Sequence, residues 1–276
     1  MCLAFERLRL PLLALAAVCA LLPAQAAKPL ACAKPLYLTL DTGHMGVAPL
    51  VADVLKRQQV RATFFLASEP TQDGGSSLDE HWAAWWRARA AEGHDFGSHT
   101  WHHDAWQADL PDGSFRLRRA AGQQTPQTVT LSAQAYCEAL RAPAKRFEQM
   151  TGRPMAPIFR APAGRTSPAL LAAAQACGFK HVGWSDAGFL GDELPTARAS
   201  NAQLLQRSLK RIRSGDILMA HLGIWSRQPA WAPEVLEPLI VGLKAQGFCF
   251  APLREHPDYA AWMQQPLRTA TTVSKE

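Results

Sequence analysis

The sequence predicts an α/β fold with a mainly parallel sheet, because short apolar runs recur along the chain and helix-length stretches separate them. A third observation agrees with this. Several helix-length stretches stop at glycine, namely Gly93, Gly152, Gly178 and Gly247, as helix C-termini do.

The first segment differs from the rest. Arg7 and Arg9 precede an apolar run from Leu10 to Leu22, and Ala24-Gln25-Ala26 puts small residues where a signal peptidase cuts. Residues 1–26 read as a cleaved secretory signal, so the mature protein is expected in the periplasm or outside the cell. The apolar run is too short to span a bilayer, and no later stretch approaches about 20 apolar residues, so stable membrane insertion is not expected. About 250 residues remain, enough for one large domain, expected over 34–256 and as a monomer.

Within that domain the first strand is expected over residues 36–40, then a helix over 47–58 and a strand over 62–66. A helix follows over 79–92, where Trp82, Trp85 and Trp86 stand at helical spacing and so suit core packing better than sugar stacking. Residues 107–131 break the rhythm. They contain Pro111-Asp112-Gly113, the cations Arg116, Arg118 and Arg119, and a polar run, and read as a long loop. Alternation resumes with helices at 132–151, 167–177, 201–214 and 231–246 between strands at 157–160, 181–184, 217–221 and 248–252. Residues 257–276 are expected to form an irregular tail.

Removing residues 1–26 takes away two arginines and one glutamate, leaving 27 basic and 22 acidic side chains, a formal charge of +5. The charges are interspersed, so nucleic acid is not an expected partner. Four cysteines remain: Cys32, Cys137, Cys177 and Cys249. An even number in an exported protein points to disulfides, with three connectivities open. Cys32 with Cys249 is favoured because each flanks an apolar strand-like run, and these become neighbours if the sheet closes; Cys137 with Cys177 would then join successive helices.

The chemistry-bearing residues lie at expected strand ends: Asp41 after the first strand, Arg160 ending another and His221 ending a third, as in barrel enzymes. In His99-Thr100-Trp101-His102-His103, two histidines four apart would share one face of a helical turn and reach a single cation.

In their order these motifs resemble the polysaccharide deacetylases of the NodB-homology type, carbohydrate esterase family 4, over roughly residues 34–256. Thr39-Leu40-Asp41-Thr42-Gly43 is similar to the family's Thr-Phe-Asp-Asp-Gly, whose first Asp is the base and second a metal ligand. The stretch from Glu92 to His103 resembles the second motif, which makes His99 and His103 metal ligands. Arg160-Ala161-Pro162-Ala163-Gly164 resembles the third, whose Arg orients the base and whose backbone N–H near Ala163 would hold an oxyanion. His221 matches the catalytic acid of the fifth motif, with Met219 for its usual Leu in a pocket for the acetyl methyl. The resemblance implies a distorted (β/α) barrel of about seven strands and metal-dependent removal of N-acetyl groups from a polysaccharide, the metal being divalent and zinc the first expectation.

Two departures matter. Thr42 replaces the second Asp, so the third metal ligand is open between the Thr42 hydroxyl, a bridging Asp41 and His44, with His44 preferred because three histidines are a known catalytic zinc set. The fourth motif, an Asp-x-x-Asp-Trp, is degraded; Asp192 is taken as the residue tuning the acid, with Asp186 close behind. Trp225 and Trp231 follow His221 where a sugar would pass, so either could stack on it. An O-acetyl esterase and a catalytically silent glycan-binding protein are the alternatives.

Overall fold

The structure is a computed structural model that describes residues 32–119 and 127–267; the expected signal segment lies outside these. Strand β1 (Pro35–Asp41) is buried along almost its whole length, as a strand covered on both faces must be. Helix α1 (Ala48–Arg57) follows, with proline in its first turn and Lys56 and Arg57 in its last, each suited to that helix end. Strand β2 (Thr63–Leu66) leads into α2 (Ala83–Ala91) and then β3 (Asp95–Ser98).

Beyond β3 come β4 (Asp104–Asp109), β5 (Phe115–Arg119) and β6 (Gln127–Leu131), which form a separate antiparallel sheet. The expectation of a long loop over 107–131 is therefore corrected. Phe115 and Leu117 are buried while Arg116 and Arg118 face out, a period-two pattern that the charged composition obscured. Residues 120–126 within it are outside the described set.

Helix α3 (Ala133–Thr151) begins at Ser132, whose hydroxyl accepts from Ala135 N–H, and ends at Gly152 in the left-handed region. The remaining elements alternate: β7 (Ile158–Phe159), α4 (Pro168–Ala176), β8 (Lys180–His181), α5 (Asn201–Arg211), β9 (Ile217–His221), α6 (Trp231–Ala245) and β10 (Cys249–Phe250). A short helix, α7 (Ala260–Met263), stands within the stretch expected to be irregular, tied down by Trp262 Nε1–H donating to the Pro157 carbonyl.

The main sheet has seven strands, ordered β10-β1-β2-β3-β7-β8 with β9 also on β1, and every pairing is parallel. The chain after β8 turns back to β9, where Ser185 N–H donates to the Ile217 carbonyl and Met219 N–H to that of Gly188. These bonds bring the far edge round toward β9 and give a distorted barrel. Strand β3 was not anticipated; its Asp, Gly and Ser residues lack the apolar, β-branched composition that marks the others.

Side-chain alternation along the strands decides where the chemistry sits. On β1, Leu36, Leu38 and Leu40 pack outward with Val51, Leu55, Phe64 and Trp86, while Tyr37 joins Phe65, Ile158, Val182 and Ile217 inside the barrel. Asp41 and His221 continue the inward-facing sets of β1 and β9, in register across the pair at the strands' C-terminal ends. Disulfides join Cys32 to Cys249 and Cys137 to Cys177. Among the described residues no helix is long and apolar enough to cross a membrane.

Candidate active site

Asp41 is almost fully buried at the end of β1. Its Oδ1 accepts from Arg160 Nη1 at 2.8 Å, and its Oδ2 lies 3.6 Å from His99 Nε2. Burial alone would raise the carboxyl's pKa, but the Arg160 guanidinium, with smaller contributions from His99 and His221, holds it below its ordinary value. Arg160 is itself fixed on every side: Nε and Nη2 donate to the carbonyls of Val182 and Gly183, and the guanidinium lies 4.4 Å from the Phe65 ring and 5.6 Å from that of Trp184.

The Arg160 backbone acts too. Its carbonyl can only accept, so the 2.8 Å contact assigns the proton of His99 to Nδ1. Burial pushes the His99 pKa down to about 4, and the neutral ring carries its free lone pair on Nε2. The His103 ring is 4.9 Å from it, centroid to centroid. The expected helical turn is absent: both histidines sit in the loop after β3, and Thr100 and His103 have φ of 59° and 52°. Those left-handed residues coil the loop tightly, so four-residue spacing brings the rings together without a helix. The loop is braced by Asp104, buried directly after His103, whose N–H donates to Thr100 Oγ1 and whose carboxylate takes Arg119 of β5 at 2.9 Å.

His221 ends β9. Asp192 Oδ2 accepts from its backbone N–H at 2.7 Å, and the same carboxylate accepts from its Nδ1–H at 3.1 Å. Burial opposes the charged ring, but Asp192 outweighs it and pushes the His221 pKa up to about 10, with Asp41 and Glu193 adding to the effect. Asp192 thus has the contact, whereas Asp186 is exposed. The loops after β1 and β9 touch backbone to backbone: Gly43 has φ +117°, and a Cβ there would lie 2.2 Å from the Gly223 carbonyl oxygen.

Thr42 Oγ1 accepts from Ala67 N–H at 3.0 Å and donates to Glu69 Oε2 at 2.5 Å. His44 Nδ1 accepts from Gly46 N–H at 3.0 Å, and its ring lies 4.9 Å from that of Trp225. Trp225 is 62% exposed over this cleft, whereas Trp231 is packed in the core, so stacking of a sugar on Trp231 is ruled out. Trp82 and Trp86 are core residues, as expected. Met219 is buried two residues below His221 on the same inward face. Ala163, at φ +56°, turns the chain after Arg160. Glu69 and Glu193 were missed: both lie in loops, and only their proximity to predicted strand ends or to Asp192 could have flagged them.

The donor chemistry fits a divalent cation. A neutral imidazole with a free Nε2 pair, its other nitrogen tied to a carbonyl, is the usual state of a metal-ligating histidine, and a second imidazole and two carboxylates stand nearby. Among the described residues no group of three or more His, Cys, Asp or Glu side chains stands arranged to hold a metal ion, so a third ligand would have to move in.

A family model described as polysaccharide deacetylase matches residues 30–182. The chain is 26% identical over 218 residues to the peptidoglycan-N-acetylmuramic acid deacetylase PdaA of Bacillus subtilis (strain 168), covering 79% of this chain and 69% of that one. The family 4 acetyl xylan esterase from Clostridium thermocellum, solved in complex with a cobalt ion, superposes with a TM-score of 0.62 at 21% identity, over 83% of this chain and 91% of the other. A CE4 family pseudoenzyme from Bacillus anthracis superposes at 0.59 and 20% identity, over 81% of this chain and 65% of its own. The two superpositions establish a shared fold.

Proposed function

The chain belongs to the polysaccharide deacetylase family, and from that premise we propose that it is a hydrolase removing N-acetyl groups from an acetylated glycan with release of acetate. One observation carries the reading. Asp41 and His221 stand in register on adjacent strands in opposite proton states, a carboxylate kept ionised by Arg160 and an imidazole kept protonated by Asp192. Titratable neighbours pushed apart in this way have the roles of base and acid.

The residues then divide the reaction between them. Asp41 Oδ2, the oxygen Arg160 leaves free, accepts the proton of the attacking water; Oδ1 stays locked. His221 donates its Nε2 proton to the departing nitrogen, and Asp192 stabilises the imidazolium beforehand. His99 and His103 would hold a divalent cation, for which zinc is the first candidate. When bound, such an ion supplies Lewis acidity to the acetyl carbonyl and lowers the pKa of water. The turn at Ala163 offers a backbone donor to the developing oxyanion, Met219 floors the acetyl pocket and Trp225 stacks on the sugar.

N-acetylglucosamine in peptidoglycan or an exopolysaccharide is the first substrate to try, given relatives named as a chitooligosaccharide deacetylase and a peptidoglycan-N-acetylmuramic acid deacetylase. Two disulfides support an exported protein. A silent glycan-binding role has Thr42 in its favour, since the family's acidic ligand is lost there. Acetate and free amine measured together on N-acetylglucosamine oligomers and on O-acetylated xylan test the proposal. Equimolar acetate and amine from the oligomers, abolished in Asp41→Ala, is expected; acetate from xylan alone would make it an esterase, and sugar binding without acetate a silent binder.

A further inference from the structure

Thr42 leaves the cleft short of one anionic ligand, and the Glu69 carboxylate accepts a hydrogen bond from the Thr42 hydroxyl itself. We infer that the Glu69 carboxylate completes the divalent-cation site with His99 and His103; the inference rests on the deacetylase reading above. Glu69 follows β2, at the same end of the barrel as Asp41. Its main chain is clamped to Ser77, whose hydroxyl accepts from Glu69 N–H at 3.0 Å and donates to the Ala67 carbonyl at 2.6 Å, while Ser77 N–H donates to the Glu69 carbonyl. The side chain is half-buried and reaches back to Thr42 Oγ1.

The alternatives are occupied. The Thr42 hydroxyl already accepts from Ala67 and donates to Glu69. His44 Nδ1 already accepts from Gly46 N–H, which leaves the ring's proton on Nε2 and no free pair there for a metal. Asp41 Oδ1 is held by Arg160, and its Oδ2 is needed as the base. Glu69 has only to release the Thr42 hydroxyl for its carboxylate to be free as a ligand. Two imidazoles and one Glu carboxylate are an established catalytic zinc set. Glu69 would therefore restore the negative charge lost at position 42, from a different strand end.

The test is calorimetric titration of the metal-stripped full chain with Zn²⁺, repeated with Co²⁺ for its visible spectrum, on the unmodified protein, Glu69→Gln and Thr42→Val. The unmodified chain is expected to bind one ion. Glu69→Gln should bind more than roughly 100-fold more weakly, beyond the range of an outer-sphere partner, with an altered Co²⁺ spectrum and an unchanged melting temperature of the apo protein. Thr42→Val should stay within about tenfold, because Glu69 is then free to turn. Three results overturn the inference: no ion bound by the unmodified chain, Glu69→Gln binding within about threefold of it, or Thr42→Val losing as much as Glu69→Gln. Stoichiometric binding that depends on Glu69, without acetate release, would sink the deacetylase reading and leave the ligand assignment standing.

Discussion

Replacing Asp192 by Asn separates what the acid's partner does for charge from what it does for shape. In the native protein Asp192 pushes the His221 pKa up to about 10 against the opposing effect of burial. At pH 8.5 the ring is then almost wholly imidazolium; without Asp192 burial is opposed only by Asp41 and Glu193, and even a ring at the ordinary value near 6.5 would be only about 1% protonated. Acetate release by Asp192→Asn should therefore fall roughly 100-fold or more at pH 8.5 and progressively less as pH is lowered, with the alkaline limb moving down from near 10. Stability should follow the same linkage. A histidine whose folded pKa is raised contributes stability fully present below its unfolded pKa near 6.5 and lost as pH rises through about 10. That difference corresponds to roughly 5 kcal/mol as an upper figure, so the melting-temperature deficit of Asp192→Asn should be large at pH 6 and shrink steadily toward pH 10. Rate profiles and thermal melts across this range read both. An equal loss of rate at every pH, or a deficit that does not shrink, would show that Asp192 only orients the ring and that its charge is unimportant.

Other perturbations address the remaining parts. Asp41→Asn should lower kcat by roughly 10²- to 10⁴-fold while the circular dichroism spectrum is unchanged, since Asn keeps an oxygen to accept from Arg160 but cannot serve as the general base. Arg160→Met leaves the buried Asp41 carboxylate without its partner, and should cost about 3–5 kcal/mol in denaturant unfolding. It should also raise the acidic limb of the pH–rate profile, because Asp41 loses the cation that holds its pKa down. Cys137→Ser with Cys177→Ser opens a bridge spanning 40 residues and should cost roughly 4 kcal/mol, read as a lower urea midpoint with activity per folded molecule retained.

The residues explain why parts of this molecule could be read from sequence and parts could not. Strands β1, β2 and β9 carry nearly continuous apolar runs, because helices cover one face and the barrel interior the other. Asp41, Arg160 and His221 stand out because each interrupts or ends such a run. Strand β3 hides because its burial comes from neighbours and not from its own composition. The His99 and His103 pair was found by spacing but given a helical conformation, since nothing in Thr100 or His103 announces a positive φ. Asp192 was already favoured over Asp186 in the sequence, but its contact with His221 needed the path of the chain between β8 and α5. Glu69 was invisible for the same reason: 27 positions separate it from Thr42, and only the loop beyond β2 brings them into contact.

The most direct test of the account is acetate release from N-acetylglucosamine oligomers by the chain beginning at residue 27, metal-stripped and then restored with Zn²⁺. The account predicts no acetate from the stripped protein, recovery at one ion per chain, and no recovery in Asp41→Asn. Acetate release that ignores the metal, or that survives loss of Asp41, would contradict it.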